Sequence, residues 1–141
     1  MSEKAKSRVE RRAEVATRRA SSPEASAELA RRVAALADSK KAEDPVALDV
    51  RDLVGYTDFL VVVTARNERQ AKAIHDEVYE RLKKDDGRLP ARVEGNAEGR
   101  WVLMDYLDCV LHVFVPDLRE RYRLEVLWGE APRLELDPES S

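Results

Sequence analysis

The sequence predicts one small layered α/β domain, and three observations carry that prediction. Phe59-Leu60-Val61-Val62-Val63 is an apolar, β-favouring run without polar alternation, the mark of a strand buried on both faces. Leu29, Val33, Leu36 and Ala37 recur at helical spacing, and so do Ala71, Ile74, Val78 and Leu82. Strand-like segments alternate with these helical ones, which is the pattern of a sheet layered with helices.

Composition agrees. The chain has 141 residues, the size of one domain with short tails. Hydrophobic residues reach 43%, enough for a core, so wholesale disorder is excluded. No apolar run approaches membrane-spanning length. A single cysteine, Cys109, excludes an internal disulfide framework, and one Cys with two His makes a poor zinc set. The opening residues carry no apolar signal region, so the expected location is the cytoplasm.

The net charge of −3 hides an uneven distribution. Residues 1–22 hold seven basic and three acidic residues, a surplus of +4, while 23–141 sum to −7. Val9, Ala13, Ala16 and Ala20 give this basic arm only a thin stripe of small residues, so it buries little by itself. One reading is contact with RNA phosphates through its arginines, another is a solubilising tail, and a third, an organelle transit peptide, is opposed by the three acidic residues.

The elements follow in order. Ser22-Pro23 opens a helix, Ser as N-cap and Pro at its first position, and the amphipathic spacing runs over 23–40. Residues 40–45 are a polar link in which Pro45 forbids helix. Residues 46–50 read as a short strand and Val54-Gly55-Tyr56 as a turn before the buried strand at 58–64, which is expected to lie centrally in the sheet. Asn67 caps the next helix with Gln70 at the capping-box position, and Asp85-Asp86-Gly87 closes it. With strands on either side, this helix suggests a crossover unit. Residues 90–94 and 100–106 are strands joined by a loop with Gly95 and Gly99 at its ends. Leu107-Asp108 is a tight turn into a fifth strand at 109–115. Pro116 stops that strand, and 117–127 look helical through Leu118, Tyr122 and Leu127. The domain is placed at 23–130, followed by an acidic tail over 131–141.

No catalytic constellation emerges. The sequence lacks a Walker phosphate loop, a dinucleotide-binding glycine motif and a nucleophile elbow. Cys109 and His112 lie three apart in a strand, hence on opposite faces, and cannot pair as nucleophile and base. His75 reads as a surface histidine on the second helix. Asp105 and Asp108 flank a turn, where Asp bonds its own backbone; metal chemistry would need a further carboxylate, and Glu94 is the candidate. His112 sits on a strand face with Val110 and Phe114, either as a satisfied core residue or as a partner contact. Trp101, following the glycine loop, is either core or an interface anchor. No cofactor is called for.

The same residues form an ordered series. Ala47-Leu48-Asp49-Val50-Arg51, Thr57-Asp58-Phe59, Arg69-Gln70-Ala71-Lys72-Ala73-Ile74, Val93-Glu94-Gly95, Trp101-Val102-Leu103-Met104-Asp105-Tyr106, His112-Val113-Phe114, Tyr122-Arg123-Leu124-Glu125 and Leu127-Trp128-Gly129 together resemble the ribosomal silencing factor (Iojap) family. The resemblance spans residues 24–132 and leaves out the arm. It implies a nucleotidyltransferase-like α/β domain with a mixed sheet of about five strands. It implies binding to the large ribosomal subunit at its fourteenth protein (uL14), blocking small-subunit joining and lowering translation in starvation or stationary phase, and a homodimer when free. Its matching contact positions are Trp101, Asp105, Tyr106 and Asp108, with Leu107 and His112 as weaker ones. Trp101 and Tyr106 would be anchors; Asp105 and Asp108 would face basic groups.

Two places depart from the family pattern. Ala65-Arg66 replaces a glycine followed by a small hydroxyl residue before the second helix. Leu107 stands where glycine is common, so a positive φ there would strain it. The competing reading is a nucleotidyltransferase-type enzyme, which would need a Gly-Ser segment where Ala65-Arg66-Asn67 stands.

Overall fold

The computed structural model describes residues 22–136. The expected basic arm therefore lies outside the described residues, apart from Ser22. Elements run α1 (Pro23–Ser39), β1 (Glu43–Asp49), β2 (Phe59–Thr64), α2 (Glu68–Asp86), β3 (Arg92–Glu94), β4 (Trp101–Asp105), β5 (Cys109–Phe114), α3 (Pro116–Tyr122) and α4 (Leu124–Leu127). The strands form one mixed sheet in the order β1-β2-β5-β4-β3, so the domain is α/β as the sequence predicts.

Local chemistry sets the helix ends. Ser22 accepts the Ala25 N–H at 2.9 Å and opens α1. Asn67 accepts the Gln70 N–H at 2.9 Å and opens α2. The Gln70 side chain accepts from the Arg66 N–H, one residue before the position a capping box would use, and donates to the carbonyls of Lys40 and Lys41. One side chain thus ties the start of α2 to the α1–β1 turn, so Ala65-Arg66 is accommodated there. Gly87, at φ 63°, closes α2 in the left-handed conformation expected of a glycine cap.

The helices cover one face of the sheet. Leu29, Val33 and Ala37 of α1 and Ala71, Ile74, Val78 and Leu82 of α2 pack on Val61, Val63, Val102, Met104, Leu111 and Val113. Every residue of β2 and β5 is buried, as the unbroken apolar run requires. A smaller cluster lies on the other face, where Leu48, Val50, Leu60, Val110 and Ala131 pack with Val54, Leu103 and Trp128. Among the described residues, the helices on that face are the short α3 and α4, and Trp101 and Leu103 there stay half-buried.

Several sequence expectations need correction. β2 lies inside the sheet, between β1 and β5, as expected, but the middle position belongs to β5, which bonds β2 in parallel and β4 antiparallel. The crossover through α2 does not return beside β2; it carries the chain to β3 at the far edge, and the β4–β5 hairpin then fills the gap. β1 begins at Glu43 and contains Pro45, which an edge strand tolerates at the register shift between Glu43 and Val46. The helix expected over 117–127 breaks at Arg123, whose φ of 36° ends α3 and starts α4. Residues 131–136, read as the start of a tail, lie along β1: the Pro132 carbonyl accepts from Asp49 N–H and Leu134 N–H donates to the Ala47 carbonyl, both at 2.8 Å. That contact covers the outer edge of β1, which would otherwise offer unpaired backbone groups.

Candidate protein-binding face

The candidate residues cluster on the β4–β5 hairpin and its turn. Pleat alternation sends Val102 and Met104 into the helix-covered core and Trp101, Leu103 and Asp105 to the opposite face. In register, Trp101 lies across from Phe114 and Leu103 across from His112.

An aromatic group results. The Trp101 ring centroid lies 4.9 Å from Phe114, 4.7 Å from Tyr122 and 5.9 Å from His112, all tilted contacts in the range where aromatic pairs attract. The indole Nε1–H donates to His112 Nδ1 at 3.0 Å. Trp101 and Leu103 are half-buried and Tyr122 is 43% exposed, so this group meets solvent. Arg119 reaches back from α3 to Thr64 Oγ1 at 2.8 Å and holds the helix bearing Tyr122 against β2. Sequence periodicity gave Tyr122 only a place in a helix; the structure sets it at the surface beside Trp101. The signal for it was its place in the ordered family series.

The turn is built from the inside. Asp105 Oδ1 accepts the Leu107 N–H at 2.8 Å, the self-bonding expected of turn aspartates. Leu107 adopts φ 70° and is 1% exposed. The Asp108 carbonyl accepts from both Asp58 and Phe59 N–H, tying the turn to the start of β2. An Asp108 carboxylate oxygen lies 3.8 Å from an Arg88 guanidinium nitrogen. Asp105, Tyr106, Leu107, Asp108 and His112 are all buried. The structure thus brings the six sequence-derived positions together, and Trp101 is the one whose side chain reaches the surface appreciably.

Electrostatics match this placement. Burial pushes the Tyr106 phenol and the Cys109 thiol well up, which keeps both protonated and the thiol unreactive. Burial pushes His112 down to about 4, with Arg92 adding to the shift and Asp105 opposing it, so the ring is neutral at pH 7. Burial first, then the charge of Asp105, raises the Tyr56 phenol.

Glu94 is exposed and bonds Arg92 Nε at 2.9 Å. Among the described residues, no three His, Cys, Asp or Glu side chains gather as a metal would require. His75 stacks on Tyr79 at 5.8 Å and bonds Asp76, away from the hairpin face.

Comparison with known proteins completes the assignment. A family described as "Ribosomal silencing factor during starvation" matches residues 23–141. The ribosomal silencing factor RsfS of Halalkalibacterium halodurans is 41% identical over 100 residues, covering 71% of this chain and 85% of that protein. The RsfS of Bacillus subtilis is 39% identical over 104 residues, covering 74% and 87%. A crystal structure of a protein from Chromobacterium violaceum superposes with a TM-score of 0.68 at 32% identity, covering 77% of this chain and 87% of that one. On sequence and fold together, this chain belongs to the ribosomal silencing factor family.

Proposed function

We propose that this protein represses translation by occupying the large ribosomal subunit, with no bond chemistry of its own. In this reading it docks on the subunit's fourteenth protein through the Trp101 face and sterically blocks joining of the small subunit during starvation or stationary phase. The observation that carries it is the partly open surface where the Trp101 and Tyr122 rings meet solvent beside Leu103. A Trp flanked by a Tyr on a rigid strand is the kind of anchor that dominates protein interfaces. Silencing then follows mass action, set by protein concentration relative to its dissociation constant. A stable contact needs roughly 1,200–2,000 Å² of total buried surface, and a domain of this size has room for one such patch.

The buried members of the hairpin shape this surface from beneath. Asp105 and Leu107 define the turn, while Asp108 and Tyr106 tie it to the core; their acidic groups add field rather than direct pairs. In the same reading the protein works in the cytoplasm, pairs with a second copy when free, and uses the basic arm of residues 1–22 against rRNA. Deleting that arm then flattens the salt dependence of subunit binding.

Co-sedimentation with isolated large subunits tests the reading. Wild type is expected to pellet with them and to inhibit subunit joining. Trp101→Ala and Tyr122→Ala, checked for folding by circular dichroism, should each weaken binding about tenfold or more. Unweakened binding by both variants removes the interface from this face, and a wild type that does not pellet removes the function.

A further inference from the structure

His112 is buried, yet it touches the most exposed of the six hairpin positions. Its Nδ1 lies 3.0 Å from Trp101 Nε1. An indole N–H only donates, so Nδ1 must be the unprotonated acceptor and the neutral ring carries its proton on Nε2. The imidazole is also packed at 5.9 Å from both Phe114, nearly parallel to it, and Trp101. With 7% exposure, His112 has little surface to offer a partner directly. Its means of affecting a contact is the side chain it holds.

We infer that His112 is a positioning residue: by accepting the indole N–H it fixes the orientation in which Trp101 meets the ribosomal partner. This rests on the reading that Trp101 lies in the ribosome contact. A free indole on a strand rotates about two side-chain bonds, and ordering it on binding costs affinity. An indole held beforehand has met that cost during folding. The tilt of Trp101 across Phe114 and Tyr122 is the geometry so held.

Charged groups reach His112 from the adjacent β4 and from β3 beyond it. β3 brings Arg92 and β4 brings Asp105, of opposite charge. Tyr56, on the loop before β2, senses the same two groups. α3 contributes the Tyr122 ring beside Phe114. β2 places the uncharged Val62 across from His112. Protonating the ring would set a donor against the indole donor and end the hydrogen bond.

Two measurements test this, one without ribosomes. In the isolated protein, the Trp101 indole N–H resonance is assigned by its loss in Trp101→Phe. It should shift on acidification with the same midpoint as the His112 ring carbons, and stay flat in His112→Asn, whose amide oxygen replaces Nδ1. In large-subunit binding at neutral pH, His112→Leu should weaken affinity about tenfold and His112→Asn should restore it to within about threefold. In a Trp101→Phe background, where no indole N–H exists, His112→Leu should cost less than about twofold more. Should His112→Leu fail to fold, His112→Phe serves as the acceptor-free variant.

An indole resonance that ignores the titration of His112 overturns the link between the two residues. A penalty equally large in the Trp101→Phe background overturns action through Trp101. Acceptor-free variants that bind like wild type overturn the effect on the contact. If wild type itself does not bind large subunits, the ribosomal reading fails and the surface role with it. The titration still reports whether the two side chains are coupled.

Discussion

Asp105 Oδ1 accepts the backbone N–H of Leu107 at 2.8 Å and holds that residue at φ 70°. A leucine in the left-handed region costs about 1–2 kcal/mol, which a glycine would avoid. Leu107 is nevertheless 1% exposed, so its side chain gains by burial. Truncating a buried leucine to alanine costs about 2–5 kcal/mol, so burial outweighs the strain.

Leu107→Gly should therefore destabilise the protein by about 2 kcal/mol despite relieving its backbone. Urea unfolding measures this. A variant more stable than wild type would mean that backbone strain outweighs side-chain burial at this position.

Tyr106 predicts the opposite sign. Its hydroxyl is buried, with no hydrogen-bond partner among the described residues. Tyr106→Phe removes that hydroxyl and keeps the ring, so stability should change by less than about 1 kcal/mol, in the favourable direction. Large-subunit binding should hold at the wild-type level, since the side chain is 1% exposed. A drop in binding with an unchanged melting temperature would restore Tyr106 as a direct anchor.

His112 makes stability depend on pH. Its folded pKa of about 4 lies below the ordinary value of 6.5, so between these values the unfolded chain binds more protons. Its contribution is complete above pH 6.5 and is lost as pH falls through about 4, roughly 3 kcal/mol in all. Subtracting the pH–stability curve of His112→Asn from that of wild type isolates this loss from the carboxylates. A difference curve flat from pH 7 to 4 would contradict the burial of the ring.

Gly95 controls the other end of β4. It has φ 77°, and a Cβ there would overlap the Trp101 carbonyl oxygen. Gly95→Ala must displace the start of β4, costing about 3 kcal/mol and weakening subunit binding together. Thermal melts and co-sedimentation on the same preparation read both; full stability with intact binding would refute the close approach.

Much of the architecture was legible because it depends on local chemistry. Ser22, Asn67 and Gly87 end helices through their own backbone and side-chain geometry, and the apolar run at 59–63 needs cover on both faces wherever it sits. Strand order was not legible. That β5 lies between β2 and β4 depends on which edges pair after the α2 crossover, and local pattern does not encode partners. The docking of 131–136 on β1 likewise comes from contacts distant in sequence.

The candidate site divides in the same way. The sequence by itself determined the family, the hairpin that carries the six positions, the turn role of Asp105 and the conflict at Leu107. Each of these is a matter of residue type at short spacing. Tertiary structure alone decided which of them meet solvent. It placed Tyr122 beside Trp101, turned His112 into the acceptor of the indole, and enclosed Asp105, Tyr106, Leu107 and Asp108. Exposure depends on what packs over a residue, and the groups that do so here are brought in by strand pairing and helix docking from remote parts of the chain.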